Sequence, residues 1–299
     1  MPKPLSGNPA QPLDSFGATV TVLLCLTWGL NQVAVKLAMA GVPPLMQATI
    51  RSAGALAIVA AWARLRGVKL TARDGTLAAG LLAGLLFAGE FLLIYRGLMW
   101  TTASRAVVFI YTAPFFVALG ARWLGERLTL QQWCGLALSF LGVAVAIGVP
   151  QAAVDASVLV GDLMMVGAGA AWGATTLVIK GSALARAPAE KTLAWQLLVS
   201  VPVLAAGAAA FGERMAAMPD AVPLAWLAYQ TIWVVGVTYA VWFALIKRYS
   251  ASRLSAFTFL TPLFGVVAGA VVLDEPIAPA FGIAVALVIA GLVLVNRLR

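Results

Sequence analysis

Hydrophobic residues along this chain gather in ten long blocks, at about 16–39, 44–65, 76–98, 104–124, 130–149, 158–181, 189–211, 223–246, 252–273 and 278–295. A hydrocarbon layer about 30 Å thick needs about 20 apolar residues of helix, so each block predicts one membrane-crossing helix. Turn-forming residues separate the blocks: Gly41 to Pro44, Val149-Pro150, Ala187-Pro188, Pro219 to Pro223 and Pro276 to Pro279. The connections are short and leave no room for an inserted soluble domain. Residues 1–15 are Pro-rich and polar, which predicts a flexible cytoplasmic tail. The first block is too long for the apolar part of a cleaved signal peptide and is expected to stay in the mature protein.

Composition narrows the class. The chain has 299 residues, 62% hydrophobic and only 10% charged. A soluble domain runs near 45–50% apolar and 25% charged, and a disordered chain is more polar still. There is no histidine, which removes imidazole acid/base chemistry and most zinc or iron sites, so no metal or cofactor is expected. Cys25 and Cys134 lie inside apolar blocks and are expected to pack as small hydrophobes.

The net charge of +9 would suit a nucleic-acid partner in a polar chain, but here it carries topology. With the N-terminus inside, fifteen of the 20 Lys and Arg fall on the cytoplasmic face. Lys36, Arg96, Arg105 and Arg214 fall outside, and Arg51 lies within the second block. Both termini are therefore expected in the cytoplasm, with the chain threaded through a bacterial-type inner (plasma) membrane.

The chain also repeats itself. Trp28, Gly29, Lys36 and Pro44 recur as Trp172, Gly173, Lys180 and Pro188 at an offset of 144. Ala103-Ser104-Arg105 returns as Ala251-Ser252-Arg253, and Pro114 as Pro262, at an offset of 148. Glu126 and Gly142, sixteen apart, match Glu275 and Gly291 with the same spacing. Residues 16–150 and 151–299 thus read as two halves of five helices each. An odd number of helices makes the halves enter the membrane from opposite sides, as in secondary transporters whose site lies at the repeat interface. The predicted fold is an all-α integral membrane protein of ten transmembrane helices, two inverted five-helix repeats around a central cavity.

Polar and aromatic side chains inside the blocks are the candidate site. Trp28 and Asn31 share a helix face, mirrored by Trp172 with Thr175 and Thr176, and their polar atoms favour an inward placement or a helix–helix contact over lipid. An ionised side chain at a helix centre costs about 2.5–3.5 kcal/mol. Arg51 and Glu90 are such groups, with Asp162 shallower. Arg51 would either bind a substrate carboxylate or bridge to Glu90. Glu90 is also the best-placed carboxylate for proton coupling; uncoupled downhill export is the rival. Tyr95, Tyr111, Tyr239 and Trp242 offer aromatic walls or ordinary packing. Pro114 and Pro262, at equivalent mid-block positions, predict kinks that serve as hinges or simply shape the scaffold. Gly80/Gly84, Gly169/Gly173 and Gly265/Gly269 predict close helix contacts within one chain, consistent with a monomer.

These residues resemble the drug/metabolite transporter superfamily, in its ten-helix EamA-type branch. The resemblance rests on Thr27-Trp28-Gly29 and Ala171-Trp172-Gly173, Arg51, Tyr95-Arg96-Gly97-Leu98, Pro114, Gly125-Glu126-Arg127, Gly142, Pro262, Asp274-Glu275 and Gly291. It covers nearly the whole chain and is greatest toward YddG-type exporters of aromatic and other neutral amino acids. Ala284 departs from it, standing where the first half has Gly135, so packing at that helix end is expected to differ. The resemblance implies export of a small-molecule substrate by alternating access, with no catalysis. A drug, sugar-phosphate or nucleotide-sugar transporter of the same fold is the alternative, ahead of a membrane-embedded enzyme or a channel.

Overall fold

The computed structural model describes residues 11, 13–147 and 155–297. Most of the expected tail and the junction at residue 150 lie outside the described residues. Thirteen α-helices run in order: α1 (Ser15–Ala38), α2 (Pro44–Leu65), α3 (Leu77–Gly97), α4 (Ala103–Ile110), α5 (Ala113–Ala121), α6 (Leu130–Ile147) and α7 (Ala156–Gly181), then α8 (Ala189–Ala210), α9 (Ala221–Tyr229), α10 (Tyr239–Arg248), α11 (Ala251–Phe257), α12 (Leu260–Leu273) and α13 (Phe281–Asn296). Among the described residues, nine segments are long and apolar enough to cross a membrane, and α13, at 16 residues, is a shorter tenth. Large apolar side chains cover the outer surface, Leu163, Val271 and Ile283 among them, as a lipid-facing wall requires.

Three predicted helices are not uniform. The fourth block divides into α4 and α5, and the ninth into α11 and α12. Pro114 and Pro262 stand just inside α5 and α12, where their missing N–H groups break the ladder with the preceding turn. The helix breaks at both prolines, at nearly the same place in each half. The eighth block runs from α9 to α10 through a π-helical stretch, Gln230–Thr238, in which the Tyr239 N–H reaches the Val234 carbonyl five residues back. Such a stretch rotates α10 about its axis relative to an uninterrupted α-helix, and it sets the facing of Tyr239 and Trp242.

The two halves pack as mates. α1 crosses α12 as α7 crosses α5. A Cβ on Gly29 would lie 2.6 Å from Phe264 Cβ, and one on Gly173 2.8 Å from Phe116 Cβ, so each Trp-Gly pair lets the neighbouring helix approach closely. α6 lies along α13, with Gly135 facing the Gly291 carbonyl and Gly142 facing the Ala284 carbonyl. Ala284 is fully buried and its methyl is accommodated, whereas a Cβ on Gly135 would lie 2.7 Å from the Gly291 carbonyl, so the two equivalent positions pack differently. Gly80 and Gly84 receive Trp195 and Val199 of α8. Cys25 is buried as expected, whereas Cys134 is exposed, because the buried face of α6 is the one carrying Gly135 and Gly142.

Loops at the end bearing the α2–α3 and α7–α8 connections are pinned by ion pairs. Lys191 Nζ is buried and donates to Asp74 Oδ2 at 2.8 Å and to the Ala72 carbonyl at 2.6 Å. The hydrogen bond from Lys191, then that from Thr76, pulls the Asp74 carboxyl down to about 2. A depressed carboxylate stabilises the fold above its ordinary value near 4 and loses that contribution as pH falls toward the folded value. In detergent, the melting temperature of Asp74→Asn is therefore expected to lie below that of the parent near neutral pH. The gap should close as pH falls through about 4 toward about 2.

Candidate functional site

A cavity of about 290 Å³ lies between the halves, walled by α1, α2, α3, α4, α7, α8, α10 and α12. Its lining reaches Val35 on α1, Leu98 after α3 and Ala106 on α4 at one end, and Trp28, Thr176 and Trp242 near the middle of the bundle. Beyond these, Ile179, Leu184, Leu245, Ile246, Tyr249 and Leu254 form a packed plug toward the opposite end. The cavity thus extends toward one end of the bundle only.

All eleven residues singled out in the sequence line this one cavity: Trp28, Asn31, Arg51, Glu90, Tyr95, Tyr111, Trp172, Thr175, Thr176, Tyr239 and Trp242. The aromatic rings build its walls edge to face. Trp28 meets Trp242 at 5.3 Å and Tyr239 at 6.1 Å, and Trp172 meets Tyr111 at 5.8 Å. Trp28 Nε1–H donates to Thr238 Oγ1 at 2.9 Å, fixing that ring. The Thr175 and Thr176 hydroxyls donate back to carbonyls of their own helix, so they present oxygen to the cavity and leave their protons in the wall.

Arg51 is 2% exposed. It forms no ion pair with Glu90 within 4.0 Å; the guanidinium instead lies over the Phe91 ring, 4.4 Å from its centroid, and its Nε is unpartnered. The bridge expected as one alternative does not form; the guanidinium face is stacked on Phe91 while its in-plane donors stay available. Gln196, fully buried, has both amide atoms unpartnered, as is Asn31 Oδ1. A buried unpaired polar atom costs about 1–3 kcal/mol, so several around one cavity mark a place arranged to receive polar groups. Asp162 does not join this set. It takes hydrogen bonds from Arg105 and from Thr101 Oγ1 at 2.6 Å, near the end of the bundle.

Gln32, Phe87, Phe91, Gln196 and Thr261 also line the cavity and were not anticipated. Gln196 was findable: it is a polar side chain in the middle of an apolar block, the reasoning that singled out Asn31. The phenylalanines carry no such signal.

Inverted halves around a central cavity that carries a few polar groups are an architecture of membrane transporters. The profile of the EamA-like transporter family matches residues 15–148 and again 159–297. The chain belongs to this family, within the drug/metabolite transporter superfamily; it is a multi-pass membrane transporter and not an enzyme. It is 28% identical over 286 residues to the "Uncharacterized transporter YvbV" of Bacillus subtilis (strain 168), covering 93% of this chain and 91% of that one. It is 25% identical to the "Probable amino-acid metabolite efflux pump" of Salmonella typhimurium, covering 91% and 92%. A crystal structure of a protein 21% identical in sequence superposes with a TM-score of 0.82 over 94% of this chain and 98% of that one, a likeness of fold.

Proposed function

We propose that this transporter exports amino acids with neutral, often aromatic, side chains, taking them as zwitterions. The observation that carries this reading is Arg51, a buried cation with an unpartnered Nε at the wall of the cavity, facing a space that also holds Glu90. One cation and one carboxylate suit a ligand with one of each: the substrate carboxylate on Arg51 and Gln196, its ammonium toward Glu90 and Asn31 Oδ1. The rings of Trp28, Tyr111, Trp172, Tyr239 and Trp242 would flank a flat or apolar side chain. A sugar phosphate or nucleotide sugar would call for several cations, and among the described lining residues Arg51 is the only Lys or Arg. The volume of about 290 Å³ lies at the small end of ligand pockets, which also favours a small metabolite. The name given to the Salmonella relative agrees with this substrate class.

In this proposal residues 16–150 and 151–299 are the two repeat units, both termini face the cytoplasm of a bacterial-type inner membrane, and Pro114 and Pro262 are the hinges on which access alternates. Proteoliposome counterflow over a panel of labelled amino acids is the test. Saturable exchange of neutral amino acids is expected. Exchange confined to phosphorylated sugars would contradict the reading. Run with and without a pH gradient, the assay also tests Glu90: Glu90→Gln keeping full transport at every pH would exclude proton coupling through it.

A further inference from the structure

The repeat brings together two sets of equivalent groups, one at each end of the bundle, and they are in different arrangements. In each half a residue with left-handed backbone, Gly125 (φ 84°) or Asp274 (φ 54°), turns the chain so that the following glutamate points back across the bundle. Each glutamate is paired with the equivalent lysine of the other half: Glu126 with Lys180, and Glu275 with Lys36. A third equivalent part is the turn that opens the fourth and the ninth blocks. Ser250 accepts from the Arg253 N–H at the start of α11, and Thr102 accepts from the Arg105 N–H at the start of α4.

At the plugged end the three parts are assembled. The Glu126 carboxylate lies 2.7 Å from Lys180 Nζ, with both side chains about seven-eighths buried. It also accepts from Ser250 Oγ at 2.8 Å, Ala251 N at 3.1 Å, Ser252 Oγ at 3.2 Å and Ser252 N at 3.3 Å, while Lys180 donates to the Tyr249 carbonyl. Burial works against the Glu126 charge, but Lys180, Ser250 and the Ala251 N–H outweigh it and hold the carboxyl below its ordinary value. At the cavity end only the ion pair is made. Lys36 and Glu275 are paired but 65% and 47% exposed; Thr101 Oγ1 instead donates to Asp162, and Thr102 Oγ1 accepts from the Arg105 N–H.

We propose that these are reciprocal latches. Glu126 with Lys180 holds the Ser250–Ser252 turn while the cavity is open at the Val35 end. Glu275 with Lys36 closes on the Thr101–Thr102 segment when that end shuts and the first latch releases. A buried ion pair offsets its desolvation cost only when its remaining hydrogen-bonding positions are filled, so each latch is stable either buried with its turn assembled on it or as a solvated pair free of the turn. Two equivalent latches exchange one such cost for the other, which keeps the two states close in free energy, as repeated switching requires. The idea rests on the alternating-access part of the proposed function but not on the substrate.

The test is made in detergent without substrate, on the full chain with Cys134→Ser and a reporter Val35→Cys on the cavity wall, following maleimide labelling rate. Glu126→Gln is expected to slow labelling at least threefold by releasing the plugged end and letting the Val35 end close. Glu275→Gln is expected to leave labelling as fast as in the parent or faster. Ser252→Ala, a milder loosening of the same latch, should slow labelling in the same direction and covers the case in which Glu126→Gln does not fold. Equal rates in parent, Ser252→Ala and Glu275→Gln would overturn the proposal, as would slowing by Glu275→Gln. A failure of amino-acid counterflow would leave these rates untouched, so the two readings fail separately.

Discussion

Replacing Arg51 with methionine is expected to reduce amino-acid counterflow by roughly 10–100-fold while leaving the protein as stable as the parent or more so. Hydrogen bonds to charged groups contribute about 1.5–3 kcal/mol, and each 1.4 kcal/mol is a factor of ten in affinity. The stability half of the expectation separates a binding residue from a structural one. Arg51 is buried, has an unpartnered Nε and forms no ion pair with Glu90. Its cation therefore costs about 2.5–3.5 kcal/mol to hold in the membrane, with little in the fold to offset it, and methionine of similar length removes that cost. Arg51→Lys should not rescue transport, because the planar guanidinium both stacks on Phe91 and offers paired donors, which an ammonium does not. Melting temperature and counterflow measured on the same preparation decide it. Parallel loss of both would assign Arg51 to the scaffold.

The second large effect concerns the scaffold. A Cβ on Gly291 would lie 2.7 Å from Ser139 N and closer still to the Gly135 carbonyl, since the α6 and α13 backbones touch there. Gly291→Val is expected to destabilise by at least ~1–3 kcal/mol, the usual cost of overpacking, and to prevent accumulation of folded protein if the helices cannot separate. Gly282→Ala on the same helix is the control: nothing lies within 4 Å of the added Cβ, so its melting temperature should match the parent's. Equal stability of both variants would mean that α6 and α13 are not in close contact.

Much of this molecule was legible in the sequence, for physical reasons. A backbone in hydrocarbon must satisfy its own hydrogen bonds, so block length alone fixed the number of crossings. An arginine or asparagine in such a block must face inward, and this is why Arg51, Glu90 and Asn31, although far apart in the chain, line one cavity. The duplicated Trp-Gly pairs gave the symmetry, and the prolines gave the broken helices. What escaped depends on how helices cross. The π-helical stretch at Gln230–Thr238 has no compositional signal, and it aims Tyr239 and Trp242. The Arg51–Glu90 bridge was a reasonable pairing by charge, but the two side chains form no ion pair within 4.0 Å, and the guanidinium face is stacked on Phe91. Glu126 and Lys180 were both visible as repeated residues; that each repeat's glutamate meets the other repeat's lysine comes from the crossing of α5 with α7 and of α1 with α12, which no single-sequence pattern encodes.

The central claim is that the cavity takes a zwitterion, and competition in counterflow tests it most directly. Labelled phenylalanine is exchanged through the reconstituted protein against excess unlabelled phenylalanine, phenethylamine, which lacks the carboxylate, or phenylpropionate, which lacks the ammonium. Inhibition by phenylalanine at least tenfold stronger than by either fragment is the predicted result. Equal inhibition by phenethylamine would show that Arg51 does not read a carboxylate, and inhibition by a sugar phosphate in place of all three would contradict the account.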